Sequence, residues 1–128
     1  MKMFKEGMKA MAFKENAPIE HVRDEPGRAG RAAAIARLNG NEALYNELLK
    51  MFFAEDPLER LRVFLAEGDV KNALLSAHGI KGTAANLGLE ELSALAGKVE
   101  RPLRENDVTA AWEVFSKLQK EYGTLSFF

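Results

Sequence analysis

Cysteine is absent from this 128-residue chain, which excludes disulfides and thiolate-bound metal sites. That absence fits a reducing compartment. A one-sided charge is missing too: 18 basic residues face 19 acidic ones, for a formal net charge of -1. A dedicated nucleic-acid binder carries a clear basic excess, so none is expected here. No apolar run approaches the roughly 20 residues that span a bilayer. The N-terminus has no compact apolar stretch ahead of a small-residue cleavage site, so no secretory signal is expected. No segment alternates apolar and polar residues for long enough to read as a strand. No glycine-rich loop of the G-x-x-x-x-G-K-[ST] or G-x-G-x-x-G type is present to cradle a nucleotide phosphate. Of the two histidines, His78 has no second histidine or carboxylate at helical spacing on its face, so no metal site is expected.

What remains is a chain of helical patterns, long enough to bury one core. Residues 1–30 form a separate arm. Phe4, Met8 and Met11 repeat at helical spacing among lysines, and packing on the rest of the chain is the expected fate of that face. Asn16-Ala17-Pro18 and Pro26-Gly27 interrupt it. From residue 31 to 128 the helices follow closely. An alanine-rich helix spans Arg31 to Leu38, ended by Asn39-Gly40, with Asn41 placed to cap the next. Glu42 to Glu55 puts Leu44, Leu48, Met51 and Phe52 on one face. Asp56-Pro57, with Glu59, reads as a capping box over a helix with Leu58, Leu61 and Leu65 inward. Gly68-Asp69 makes the turn and cap before a helix ended by Gly88. Leu92, Leu95, Val99 and Leu103 line the next, where Pro102 is expected to bend or stop it. Asn106-Asp107 opens the last, with Val108, Ala111, Trp112, Phe115, Leu118 and Tyr122 on one side. Short links between periodic helices imply an all-α, up-and-down antiparallel four-helix bundle with additional short N-terminal helices.

The segment from Leu75 to Gly88 carries the chemistry. Ala73, Ala77, Ile80, Ala84 and Leu87 form its apolar stripe. His78 points away from that stripe. Lys81 and Gly82 stand three and four residues on, so all three share one side of the helix. An imidazole is a nucleophile near neutral pH, with an unperturbed pKa of about 6.5. A lysine one turn away supplies charge for an attached anion. A glycine one turn away removes bulk from the approach. A lone surface histidine is usually without a role; the fixed offsets of Lys81 and Gly82 are what distinguish this one. His21 has no such neighbours, and no role is expected for it. Leu74, Leu75 and Ala85 flank His78 as peripheral core or as an apolar docking rim, and Lys71 adds positive potential before it.

The pattern Ala-His-x-x-Lys-Gly-x-Ala-x-x-Leu-Gly, Ala77 to Gly88, resembles the histidine phosphotransfer (HPt) domain of bacterial multistep phosphorelays. Arg37 to Asn41, Leu44-Tyr45, Leu48-Leu49, Leu65 to Asp69, Leu89 to Leu92 and Val99-Glu100 match its flanks, so the resemblance covers roughly Arg31 to Tyr122. It implies that His78 accepts a phosphoryl group on Nε2 from a receiver-domain aspartate and passes it to another receiver. Lys81 would stabilise the phosphoryl charge and Gly82 keep access open, while Lys71, Leu74, Leu75 and Ala85 would meet the partner. The implied partners are receiver domains of response regulators and of a hybrid histidine kinase, and they would supply magnesium; no cofactor of this chain's own is expected. The resemblance further implies a cytoplasmic monomer with no kinase activity. Two alternatives stay open: a non-catalytic helical interaction module, and the phosphoacceptor domain of a chemotaxis-type kinase.

Overall fold

The computed structural model describes residues 26–125, with side chains from Gly30 onward. His21 and most of the arm expected over 1–30 lie outside them. Six helices follow in order: α1 (Pro26–Arg37), α2 (Glu42–Ala54), α3 (Pro57–Ala66), α4 (Val70–Asn86), α5 (Glu90–Arg104) and α6 (Val108–Leu125). No strand occurs among the described residues. α3 packs on α4, α4 on α5, α5 on α6, and α6 returns to α3. Links of three residues join α3 to α4, α4 to α5 and α5 to α6, so consecutive helices run antiparallel. This closes the expected up-and-down four-helix bundle, with α1 and α2 as the additional N-terminal helices.

Side-chain caps set several of the helix starts. The Asn41 carboxamide accepts from Leu44 N–H at 2.9 Å, the Asp69 carboxylate from Asn72 N–H at 3.2 Å, and the Asp107 carboxylate from Ala110 N–H at 3.0 Å. Such bonds satisfy amides that a helix start leaves unpaired. The core is the expected stripe of α4 (Ala73, Ala77, Ile80, Ala84, Leu87) meeting Leu61 and Leu65 of α3, Leu92, Val99 and Leu103 of α5, and Phe115 and Leu118 of α6. Alanines on α4 bring its backbone close to its neighbours, so small placements on α5 matter to whatever stands on α4.

Several local expectations are corrected. α1 starts at Pro26 rather than Arg31, because proline suits the first helical turn, where its missing N–H has no partner to lose. The capping box at Asp56 does not form. Asp56 sits in left-handed backbone (φ 48°) and makes no side-chain cap, while Arg62 takes the Glu59 carboxylate at 2.6 and 3.0 Å. The buried face of α2 is Tyr45, Leu49 and Phe52, and Met51 stands 53% exposed. Its apolar residues form two overlapping stripes, and the one holding Tyr45 wins by a buried hydrogen bond from its hydroxyl to the Leu87 carbonyl, 2.7 Å. Pro102 does not stop α5, which runs on to Arg104. Trp112 lies at the rim, 36% exposed, edge-on to Phe115.

The α4–α5 turn is clamped by α1. Gly88 has φ 75°, and a Cβ there would collide with the Gly30 backbone; a Cβ on Gly30 would strike the Gly88 carbonyl. Arg37 then donates to the Asn86 carbonyl at 2.9 Å. The C-terminal end of the histidine-bearing helix is thus pinned by backbone-to-backbone packing.

Candidate functional site

His78 stands on the solvent side of α4, its side chain 64% exposed. Its stripe-opposed placement follows from helix periodicity. What periodicity within α4 could not reveal is the residue beneath it. Glu100 of α5 is 2% exposed, the one buried charged residue among those described. Its Oε2 lies 2.8 Å from His78 Nδ1, its Oε1 3.1 Å from Lys81 Nζ, and Arg104 Nη2 reaches Oε2 at 2.8 Å from one turn further along α5. One carboxylate therefore gathers two cations and the imidazole.

Charge decides the proton on the ring. Burial by itself pushes the Glu100 pKa up. The hydrogen bonds and charges of His78 and Lys81 together outweigh it and hold the carboxyl below its ordinary value. An ionised carboxylate can only accept, so Nδ1 carries the proton it donates. In the neutral ring the lone pair is then on Nε2, which has no protein partner among the described residues. The arrangement presents one defined nucleophilic nitrogen to solvent.

Lys81 is itself held. Ser93 Oγ donates to its backbone carbonyl at 2.9 Å, and its stem crosses α5 over Gly97, where a Cβ would sit 3.3 Å from Lys81 Cδ. A Cβ at Gly97 would crowd that flexible stem slightly, a contact that its helix position did not disclose. Gly82 and Gly79 are exposed, and a Cβ at either would meet nothing within 4 Å. The approach to the imidazole is open on that side.

The other expected residues separate. Leu75 is 61% exposed. With Gly79 it lines an apolar groove of about 600 Å³ that runs to Leu48, Met51 and Phe52 of α2 and Leu38 beyond α1. Leu74 is half-buried against the core instead, and Lys71 and Ala85 are exposed; none of the three lines the groove. Glu100 and Arg104 were missed as site residues. One signal existed: Glu100 falls in register with Ala96 and Leu103, a charge on an apolar stripe. Among the described residues no group of three or more histidine or acidic side chains converges as a metal site.

Residues 47–126 match the family model described as the Hpt domain. The chain is 29% identical over 84 residues to the phosphorelay intermediate protein rdeA of Dictyostelium discoideum, across 64% of this chain and 33% of that protein. It therefore spans about a third of the length of that curated relative. No solved structure matches.

Proposed function

The chain belongs to the Hpt domain family, and we propose that it is a phosphorelay carrier that takes a phosphoryl group on His78 from one receiver domain and yields it to another. One observation carries the reading: an exposed imidazole whose Nδ1 is tied to the buried Glu100 carboxylate at 2.8 Å, so that Nε2 is the free nitrogen.

In the step we propose, the Nε2 lone pair attacks the phosphorus of an aspartyl phosphate. The N–P bond forms as the P–O bond to the aspartyl carboxyl breaks, and the carboxylate leaves with the electron pair. The ring gains positive charge as it gives up that lone pair, and Nδ1 keeps its proton. The Glu100 carboxylate is already in place to stabilise that charge without reorganising, which is how fixed charges accelerate reactions. The transition state of phosphoryl transfer needs chiefly alignment and charge neutralisation. Lys81, half-exposed and within reach of the same face, is the cation that meets the phosphoryl oxygens. The open space at Gly82 admits the partner.

The receiver is the source of magnesium and of the energy-rich phosphate; this chain is a carrier and not a kinase. Among the described residues no helix is long and apolar enough to cross a membrane, and action as a cytoplasmic monomer beside response regulators and a hybrid histidine kinase is part of the proposal. The test is His78→Gln. The variant should melt like wild type and take up no acid-labile, base-stable phosphate from phosphorylated receivers. Undiminished uptake by a folded His78→Gln protein would remove the site.

A further inference from the structure

The two flanks of His78 differ in kind. Toward α2 lies the mostly apolar groove bearing Leu75 and Gly79, in which Arg37 and Arg60 are accompanied by Glu55. Toward α5 lies an open hollow of about 410 Å³, lined by Lys81, Gly97, Lys98, Glu100, Arg101 and Arg104 among others. Four cations thus line one hollow with a single carboxylate, in a chain whose net charge is -1. Lys81 and Arg104 are bound to Glu100. Lys98 and Arg101 are exposed and make no ion pair or hydrogen bond among the described residues. α4 contributes no acidic side chain to answer them.

Helix-end electrostatics account for part of this. Arg101 and Arg104 occupy the last turn of α5, where cations complement the helix dipole. Lys98 lies before that turn and Lys81 comes from another helix, so the dipole does not explain why the four converge. What they share is the hollow that also holds Glu100, the carboxylate bound to the imidazole.

We propose that Lys98 and Arg101 form a docking surface for the acidic rim of a receiver domain's aspartyl-phosphate pocket, and that they set the orientation in which it meets His78. This rests on the phosphorelay reading above. The partner's chemistry follows from the reaction: a site holding an aspartyl phosphate and a hydrated magnesium ion is built from carboxylates and carries negative charge. A basic flank on one side of His78 and an apolar flank on the other admit such a partner in one rotation. Neither Lys98 nor Arg101 touches the imidazole or Glu100, so they act on encounter rather than on the reacting atoms. Charges of this kind change association rates, and their effect falls with ionic strength.

The experiment uses the full chain, as wild type and as Lys98→Glu/Arg101→Glu, with a panel of isolated receiver domains labelled on aspartate. Transfer to the chain is timed at about 0.01 M and about 0.3 M salt, where the screening length falls from about 30 Å to below 10 Å. Phosphoramidate, a small donor with no docking surface, is the control. The double variant should accept label about tenfold or more slowly at low salt, with a flattened salt dependence. Its melting and its uptake from phosphoramidate should match wild type. Transfer at the wild-type rate and salt slope overturns the proposal. So does a loss of rate shared with phosphoramidate or accompanied by a lower melting temperature, because the defect then lies in the site or the fold. A wild-type chain that takes phosphate on His78 from phosphoramidate but from no receiver overturns the receiver reading itself, and this proposal with it. A competent wild type with an unimpaired variant overturns the basic rim alone.

Discussion

Tyr45 and Glu100 are both nearly sealed from water, 1% and 2% exposed, yet burial leaves them in opposite states. Desolvation raises the Tyr45 pKa, only partly opposed by Arg31, whose guanidinium lies 5.2 Å from the ring centroid. Its hydroxyl stays neutral and gives its one proton to a backbone carbonyl, an arrangement that is complete as it stands. Desolvation also pushes Glu100 up, but His78 and Lys81 reverse the sign. All three partners of Glu100 are side chains with 40% to 64% of their surface in water. A buried group satisfied by backbone holds the fold together. A buried charge satisfied by exposed side chains instead fixes the positions of those side chains. The glycines divide the same way: Gly30 and Gly88 are closed by each other's backbone, whereas Gly79 and Gly82 face open space.

The largest effect expected from this contrast is at the closed pair. Gly88→Ala meets left-handed backbone, φ 75°, and the Gly30 main chain at once. Strain and overpacking each cost about 1–3 kcal/mol, so a loss of about 2–6 kcal/mol in urea unfolding is expected. A loss below about 1 kcal/mol would show that α1 is not seated on this turn.

Next is Glu100. Glu100→Ala removes the acceptor that keeps the proton on Nδ1. A charge-assisted hydrogen bond is worth about 1.5–3 kcal/mol, so phosphoryl acceptance should slow about 10–100-fold. Nitrogen NMR should find the proton redistributed toward Nε2. Wild-type rates with an unchanged tautomer would return Glu100 to a purely structural role, like that of Tyr45. Acid provides a second handle. The folded-state pKa of Glu100 is lowered, so its contribution to stability is present above the unfolded carboxylate value of about 4.5 and is lost as pH falls through the folded value. Glu100→Gln lacks that loss, and its stability relative to wild type should rise as the pH is lowered from about 5 to about 3. A constant difference across that range would separate Glu100 from the acid response.

The open pair should respond less, and with opposite signs in two assays. Gly82→Gln adds no internal contact and replaces a poor helix former, so stability should rise by up to about 1 kcal/mol. Receiver affinity should nevertheless drop, because the new side chain enters the approach to the imidazole. Unfolding of the variant would mean that Gly82 belongs with Gly30 and Gly88. Smallest of all is Gly97→Ala. Its Cβ presses on the Lys81 stem at 3.3 Å, but that stem is flexible. The helix gain offsets the crowding, and calorimetry should find a net change within about 0.5 kcal/mol.

Much of this was legible from residue order, and the exceptions have reasons. The α4 stripe and the caps at Asn41 and Asp69 are local matters of period and side-chain reach, and both were read correctly. The face of α2 was misread because Leu44, Leu48 and Met51 form as good a stripe as Tyr45, Leu49 and Phe52. Only the bond from Tyr45 to Leu87, 42 residues away, chooses between them. Asp56 has the residue type of a cap but not the backbone angles of one.

The chain's own order of residues determined that it is helical, where its helices turn, and that His78, Lys81 and Gly82 share a side facing away from the core. Those properties depend on a helix's period and on contacts a few residues long. Tertiary structure alone decided which nitrogen of His78 is held by Glu100, that the Lys81 stem lies over Gly97, and that Lys81 lines a basic hollow and Leu75 a mostly apolar groove. Each of those is set by a neighbouring helix. The 22 residues between His78 and Glu100 become a 2.8 Å hydrogen bond only when α4 and α5 pack at alanine distance.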